Sequence, residues 1–225
     1  AMAETIIIGH FGNPTPMQVA RAEGAFDAAT GWTIEWRQFG SGTEVIAAMA
    51  SGDVQVAELG SSPLAIGTSQ GLDIQLFMIA EGLGTAESLI ATKASGITAL
   101  EGVKGMRIAV PVGSTAHYSL MGALAHAGIA ETDVTIMNLP ADQIAAAWDS
   151  GQVDAAFIWE PVQNQILQTG TFIVGADQTA EWGFPTFDGW VVNKEFAAAN
   201  TDAMVAFAKV MNEANQAYLA DPAAW

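Results

Sequence analysis

The sequence of 225 residues has no cysteine and only seven lysine and arginine residues, against 24 aspartates and glutamates. Without cysteine, the chain has no disulfide, no thiol nucleophile and no thiolate metal site. The net charge of −17 argues against nucleic acids and anionic membrane surfaces as partners. The chain is nevertheless typical of a folded protein, because 51% of its residues are hydrophobic and only 14% are charged.

Motifs for catalysis and metal binding are also missing. The serines lie in no Gly-x-Ser-x-Gly elbow, and no phosphate-binding Gly-x-x-x-x-Gly-Lys occurs. The three histidines, His10, His117 and His126, form no His-x-x-x-His pair. We therefore expect no catalytic residue, no metal and no cofactor, and a binding protein rather than an enzyme.

The chain has no apolar run of about 18 residues, which predicts no transmembrane helix. At the start, Ala1–Ala3 matches the small-residue pattern that signal peptidase leaves. This favours an exported protein after removal of its signal peptide, and a cloning remnant is the open alternative. At the other end, Asp221–Trp225 follows a helical stretch without a capping glycine, so we expect the chain to be incomplete there.

Strand and helix patterns alternate along the first half of the chain. The predicted strands are Thr5–Gly9, Thr33–Phe39, Val54–Leu59 and Ile74–Ala80. The predicted helices are Pro16–Thr30, Thr43–Ala50 and a third that starts at Ser61, with serine as its cap and Pro63 in its first turn. Alternation of this kind predicts an α/β fold with parallel sheets.

The second half repeats this order. Its predicted strands are Arg107–Val110, Val134–Leu139 and Val153–Trp159, and its helices run from Gly113–Thr115 to Ala127 and over Gln143–Asp149. A shift of 99 positions places Ser51-Gly52, which ends one helix, over Ser150-Gly151. A repeat of this length predicts two similar lobes with a cleft between them. We expect lobe 1 to span residues 1–90, lobe 2 to span 91–189, and 190–225 to return to lobe 1.

Two loops are candidates for binding an anion. In α/β folds, ligands lie beyond the carboxyl ends of the strands, where helix N-termini offer free N–H groups. Gly60–Pro63 supplies Ser61 and Ser62 at such a place, and its counterpart in the second half carries Ser114, Thr115, His117 and Tyr118. The pair predicts an anion site without a fixed positive charge, although ordinary helix caps would produce the same pattern.

Other candidates suit a cationic group. Trp159 and Glu160 end a strand and could hold an ammonium through the ring and the acid, or be a half-buried ring and a solvated cap. Asp188 lies in the aromatic segment 184–190 and needs a partner: a ligand cation, a basic residue or backbone N–H groups. His10 and Phe11 end the first strand at the same edge of the cleft.

Several segments together resemble a known family. They are Ala50–Gln55, Leu59–Ala65, Arg107–Pro111, Thr115–Leu120, Ala145–Trp148 and Trp182-Gly183 with Pro185-Thr186 and Asp188. The chain is similar over nearly its whole length to the taurine-binding members of the family of type II substrate-binding proteins. That family takes up sulfonates, nitrate and thiamine precursors through ABC importers.

The resemblance implies a two-lobed type II periplasmic-binding-protein fold that closes on its ligand. It implies that Ser61, Ser62, Ser114, Thr115 and Tyr118 hold a sulfonate and that Asp188 holds an amine. Arg107 lies on a strand of lobe 2, so the sulfonate site is expected to be neutral. Glu160 replaces a small residue of the family pattern, and Glu81 is a second unexpected acid, so either could favour a larger or more cationic amine.

We therefore expect a monomeric periplasmic protein that binds a small zwitterionic or anionic ligand and docks on the membrane permease of an ABC importer. The leading ligand is taurine, and another alkylsulfonate or an aminopyrimidine related to thiamine precursors is the alternative. An enzyme on the same scaffold is disfavoured, because the related pyrimidine synthases use a cysteine motif that this chain lacks.

Overall fold

The computed structural model describes residues 5–224, and within them the chain forms ten strands and ten α-helices. The strands are β1 (Thr5–His10), β2 (Thr33–Gln38), β3 (Val56–Gly60), β4 (Ile74–Gly82), β5 (Glu87–Thr92), β6 (Arg107–Val110), β7 (Thr135–Asn138), β8 (Ala155–Trp159), β9 (Gly170–Gly175) and β10 (Phe187–Asn193). The helices are α1 (Pro16–Ala22), α2 (Ala25–Thr30), α3 (Gly42–Ser51), α4 (Ser61–Ser69), α5 (Thr115–His126), α6 (Ala141–Asp149), α7 (Val162–Leu167), α8 (Ala176–Glu181), α9 (Lys194–Ala199) and α10 (Thr201–Ala220). Short 3-10 turns cover Lys93–Ser95, Leu100–Val103, Glu131–Asp133 and Pro222–Ala224.

The strands form two five-stranded sheets with the same topology. Their orders are β2-β1-β3-β10-β4 and β7-β6-β8-β5-β9. The predicted two-lobed α/β architecture is confirmed, and the internal repeat extends to strand order, with β3 and β8 separated by the predicted 99 positions. The parallel pairing that the sequence predicted is present among β1, β2 and β3 and among β6, β7 and β8, but it does not extend through each sheet. In each sheet one strand, β10 or β5, is antiparallel to both neighbours, because it is the first strand after the chain crosses from the other lobe.

Two crossing segments, 83–86 and 182–186, join the lobes and lie side by side. The amide of Leu83 donates a hydrogen bond of 3.0 Å to the carbonyl of Thr186. The predicted lobe boundaries after residues 90 and 189 fall inside β5 and β10, so both changes of sheet come several residues earlier. Neither β5 nor β10 was among the predicted strands, so the predicted boundaries lie too late in the chain.

Each sheet is covered on both faces by apolar side chains. In lobe 1, Phe207 of α10 packs against Phe26 and Trp190, with ring centroids 4.7 and 5.7 Å apart. The other face packs against α3 and α4 through Val45, Met49 and neighbours. Full burial of one such aromatic or aliphatic side chain stabilises the fold by about 1.5–3 kcal/mol. These cores hold the strand ends, and therefore the loops beyond them, in place.

Local details correct two further expectations. The helix predicted over Pro16–Thr30 is divided in two at Gly24, whose φ of 70° is incompatible with a continuing helix. Ser61 does not cap α4: the N-cap is Gly60, and the Ser61 hydroxyl instead accepts a hydrogen bond from the amide of Phe187 at 3.3 Å. Ser114 does cap α5, since its hydroxyl accepts from the amide of His117 at 3.1 Å.

The predicted export pattern at Ala1–Ala3 and the terminal Trp225 lie outside the described residues. Within residues 5–224, none of the helices has the length and apolar character needed to cross a bilayer.

Candidate functional site

A cavity of about 90 Å³ lies between the lobes, at the carboxyl ends of the strands. Several waters would fill such a volume, so it suits a small molecule. Lobe 1 and its crossing segment contribute Phe11, Asn13, Pro14, Thr15, Gly42, Gly60, Pro63, Glu81, Leu83 and Asp188. Lobe 2 and its entry contribute Ala86, Glu87, Ser114, Thr115, Trp159 and Glu160.

The N-termini of three helices reach this cavity: α3 at Gly42, α4 after Gly60, and α5 at Ser114 and Thr115. Free N–H groups and the positive end of each helix dipole favour an anionic group there. Gly60 allows close approach across the cleft, because a Cβ at this position would lie 2.7 Å from Thr115 Cγ2. The cavity therefore has an anion-favouring wall without a lysine or arginine.

Four carboxylates form a cluster beside these helix N-termini: Glu81, Glu87 and Asp188, which line the cavity, and the adjacent Glu58, which does not. Asp188 pairs with Glu81 across β10 and β4, and with Gly60 across β10 and β3. Because Glu58 lies two residues before Gly60 on β3, its side chain is on the same face of the sheet as Asp188. The four ion pairs among the described residues lie elsewhere, so none of them neutralises this carboxylate cluster.

Glu87 and Glu58 are both buried and differ in their hydrogen bonds. The Thr115 hydroxyl donates to Glu87 Oε1 at 2.9 Å, while Glu87 Oε2 has no hydrogen-bond partner. Glu58 accepts from the amide of Phe11 at 3.3 Å and from Asn13 Nδ2 at 3.4 Å. Glu87 is thus the less satisfied carboxylate, which is costly for a charged group removed from water.

Burial raises the pKa of each member of the carboxylate cluster, and repulsion by neighbouring carboxylates also raises the pKa of Glu58, Glu87 and Asp188. Burial raises the pKa of Glu87 to about 8 and that of Glu58 to about 7. Burial also raises the pKa of Asp188 well above its usual range, and the charges of Glu58, Glu87 and Glu81 raise it further. Glu81 has a pKa raised by burial as well. A cationic group in the cavity would relieve this repulsion.

Aromatic rings close one end of the cavity. Phe11 from lobe 1 and Trp159 from lobe 2 meet edge to face, with ring centroids 6.1 Å apart. Beside Trp159, Glu160 also lines the cavity, and its Oε2 accepts from the amide of Asn164 at 3.1 Å. The rings supply apolar contact for a short carbon chain, and the indole face is suited to a cation.

The structure brings together six of the eleven predicted site residues. Phe11, Ser114, Thr115, Trp159, Glu160 and Asp188 all line the cavity. Ser61, Ser62, His10, His117 and Tyr118 are not among its lining residues.

The five remaining residues have other surroundings. His10 is buried beside Arg21, with Nε2 3.0 Å from the guanidinium. His117 Nδ1 accepts from the amide of Gly113 at 3.3 Å, and Tyr118 is exposed with its ring 6.0 Å from Phe184. The Ser61 hydroxyl accepts a hydrogen bond from the amide of Phe187, and Ser62 is half-buried in the first turn of α4.

Sequence reasoning missed Glu58, Glu87, Asn13 and Gly42. For Glu58 a signal existed, because it lies within the predicted strand Val54–Leu59, whereas Glu87 lies in β5, which was not predicted. A carboxylate in a buried strand must be hydrogen-bonded, paired or protonated, since an unpaired buried charge is costly. Arg107 lies away from the cavity, as expected, although it is exposed: its guanidinium pairs with Asp154 at 2.9 Å.

Comparison with known proteins shows which family the chain resembles over its length. Residues 12–224 match the family model described as NMT1/THI5 like. The chain is 42% identical over 225 residues to the taurine-binding periplasmic protein of Escherichia coli, covering 100% of this chain and 70% of that protein. It is 30% identical over 204 residues to a putative aliphatic sulfonates-binding protein of Bacillus subtilis, covering 89% of this chain and 61% of that protein.

A solved structure has the same fold. The alkanesulfonate-binding protein SsuA from Xanthomonas axonopodis pv. citri, bound to MOPS, superposes with a TM-score of 0.88 at 21% identity. The match covers 100% of this chain and 78% of that structure.

Proposed function

This chain belongs to the NMT1/THI5-like family, and we propose that it is the solute-binding protein of an ABC importer, with a small sulfonate, foremost taurine, as its ligand. Taurine carries a sulfonate and an ammonium two carbons apart. The observation that carries the proposal is a cavity that brings three helix N-termini together with buried carboxylates, Glu81, Glu87 and Asp188. The taurine-binding relative from E. coli supports the same ligand.

In this proposal, the sulfonate lies at the helix N-termini and accepts hydrogen bonds from backbone N–H groups and from the Ser114 hydroxyl. Thr115 contributes through its place at the start of α5, because its hydroxyl hydrogen is donated to Glu87 Oε1. The ammonium lies against Asp188 and Glu87, and the two carbons pass Phe11 and Trp159. Each end of the ligand then meets groups of the opposite charge or dipole, which favours a zwitterion over a simple anion. The roles of Ser61, Ser62, His117, Tyr118, Glu160 and His10 in ligand binding remain predictions from the sequence.

The location, oligomeric state and membrane partner of the protein are part of the same proposal. A solute-binding protein of an importer works in the periplasm as a monomer, closes its lobes on the ligand and docks on a membrane permease. It carries no catalytic residues and needs no cofactor. The relatives named above, which are described as binding proteins, support this assignment.

Calorimetric titration with taurine tests the function. We expect a saturable heat and a rise in stability of about 2.7 kcal/mol at a hundredfold excess over the dissociation constant. Absence of both heat and stabilisation at millimolar taurine would contradict the proposal.

A charge-neutral variant tests the ligand's orientation. Asp188→Asn should weaken taurine binding about tenfold or more and leave the amine-free ethanesulfonate little affected, because only taurine brings an ammonium to this carboxylate. Asp149→Asn removes the same charge from an exposed position at the end of α6 and should change neither affinity. Equal losses for taurine and ethanesulfonate in Asp188→Asn would show that Asp188 does not contact the ammonium.

One alternative ligand class has an observation in its favour. The edge-to-face pair Phe11–Trp159 and the excess of carboxylates would also suit a flat, cationic aminopyrimidine. A competition titration distinguishes the two, since an aminopyrimidine that displaces taurine at lower concentration would favour this second class.

A further inference from the structure

The carboxylate cluster outnumbers the one positive charge that the proposed ligand brings. Glu58, Glu81, Glu87 and Asp188 come from four strands, β3, β4, β5 and β10, and Glu160 is a fifth acid at the cavity wall. Carboxylates held this close in a low dielectric repel each other strongly. Without a bound cation, the repulsion among these carboxylates is relieved when one or more of them is protonated.

Among the described residues, no basic side chain forms an ion pair with the carboxylate cluster. His10 is directed at Arg21, and Arg21 in turn lies over the ring of Trp36. His117 is directed at the amide of Gly113. The polar group that α5 presents to the cluster is the Thr115 hydroxyl, which is uncharged.

Of the two buried glutamates, Glu87 is better placed than Glu58 to hold a proton. It is 1% exposed, its Oε1 accepts one hydrogen bond from Thr115, and its Oε2 has no partner. Glu58, by contrast, has a hydrogen-bond donor on each oxygen. Protonation of Glu87 Oε2 removes a buried charge that is less compensated by hydrogen bonds than that of Glu58.

We infer that Glu87 is protonated in the ligand-free protein and that the ligand's ammonium replaces this proton on binding. This inference rests on the proposed function, because it needs a ligand with an ammonium group. The exchange balances: the neutral carboxylic acid releases H⁺ to solvent, and the resulting carboxylate pairs with the R–NH₃⁺ group, which keeps its own three hydrogens. Binding of an amine-bearing sulfonate is therefore coupled to pH, whereas binding of an amine-free sulfonate is not.

A direct measurement of released protons tests this coupling. Protein and taurine, both brought to pH 7 in weakly buffered phosphate, are mixed, and a pH electrode records the protons released per ligand bound. Sulfonate-containing buffers must be avoided, because a solved relative of this fold holds MOPS. We expect release approaching about one proton per ligand, and a taurine affinity that rises by up to about tenfold per pH unit below pH 8.

Two controls make the result specific. Ethanesulfonate should bind without releasing a proton. Glu87→Gln keeps the shape of the protonated acid but cannot ionise, so its taurine affinity should fall and its proton release should drop by at least half. A circular dichroism melt checks that this variant is folded, and the measurement on the unaltered protein stands even if it is not.

The outcomes separate the two proposals. Heat of taurine binding without proton release would overturn the proton exchange and leave the function intact. Equal proton release with ethanesulfonate, or undiminished release in folded Glu87→Gln, would also overturn it. No heat with taurine would instead remove the proposed function.

Discussion

The Thr115 hydroxyl lies 2.9 Å from Glu87 Oε1 and donates a hydrogen bond that joins the first residue of α5 to the first residue of β5. Both side chains are buried at the cavity wall. The bond stabilises the ionised form of Glu87 and so opposes the effect of burial on its pKa. One hydroxyl thus links a helix N-terminus to the carboxylate cluster.

Removal of this hydroxyl should weaken ligand binding. In Thr115→Val the carboxylate loses its one hydrogen bond, its pKa rises further, and taurine affinity at pH 7 should fall about three- to tenfold. The fold should lose about 1–2 kcal/mol, measured by denaturant unfolding. Thr179→Val is the matched control, because Thr179 is equally buried but bonds within α8, to Ala176 O at 3.1 Å. A similar loss of affinity in both variants would show that the Thr115–Glu87 bond does not matter for binding.

Gly122 should not tolerate a methyl group, although it lies inside α5. A Cβ there would be 2.4 Å from Phe184 Cγ, in the crossing segment 182–186. Alanine gains about 1 kcal/mol in helix propensity, but overpacking costs about 1–3 kcal/mol. We expect Gly122→Ala to lower the free energy of unfolding by about 1 kcal/mol.

Two variants check this explanation. In α4, a Cβ on Gly67 would lie 3.4 Å from Ile46, an ordinary contact, so Gly67→Ala should be neutral or stabilising. In a Phe184→Ala background, Gly122→Ala should likewise become stabilising, because the clash is gone. If Gly122→Ala destabilises both backgrounds equally, the contact with Phe184 is not the cause.

The ligand-free protein should lose stability between pH 6.5 and 8. The folded-state pKa values of Glu58 and Glu87 are raised to about 7 and about 8, so the folded state binds more protons than the unfolded state as these groups titrate. Stability therefore falls as pH rises through those values. Burial lowers the pKa of His10 to about 4, which acts in the opposite direction but only below its ordinary value of 6.5.

Thermal melts across this window measure the effect. Saturating taurine should flatten the dependence, because its ammonium compensates the ionised carboxylates, and Glu87→Gln should reduce it. A ligand-free melting temperature that stays level or rises from pH 6.5 to 8 would contradict the raised pKa values of these buried glutamates.

Gln163 should hold the crossing segment 83–86 against lobe 2. Its Nε2 donates to Thr85 O and to Ser88 Oγ, both at 2.7 Å, and the side chain is buried. Gln163→Met removes both bonds and should cost about 1–3 kcal/mol, with faster hydrogen exchange around residues 85–88. Gln165→Met, exposed on the same helix, should leave both unchanged. Equal exchange in the two variants would argue against this anchoring.

Much of the fold could be read from local patterns. The strand Arg107–Val110 was predicted with its observed bounds, and β3 and β8 were found from their apolar runs and the Ser-Gly pairs that precede them. Ser114 was recognised as a cap because capping depends on residues three positions apart. Ser61 has the same local pattern but bonds to Phe187, 126 positions away, and local patterns carry no information on such a contact.

The sequence by itself determined the two-lobed α/β architecture, because helix caps, apolar periodicity and the repeat of 99 positions are local or regular features. It also singled out Asp188 and Thr115, which the structure places at the cavity, Asp188 within β10 and Thr115 at the start of α5. Only the tertiary structure decided which strand enters each sheet antiparallel, since β5 and β10 pair with partners far away in the chain. The same long-range pairing places Glu81, Glu87 and Asp188 at one cavity, with Glu58 beside them. The repulsion among these carboxylates and the proton inferred on Glu87 both depend on burial and proximity, which exist only after the chain has folded.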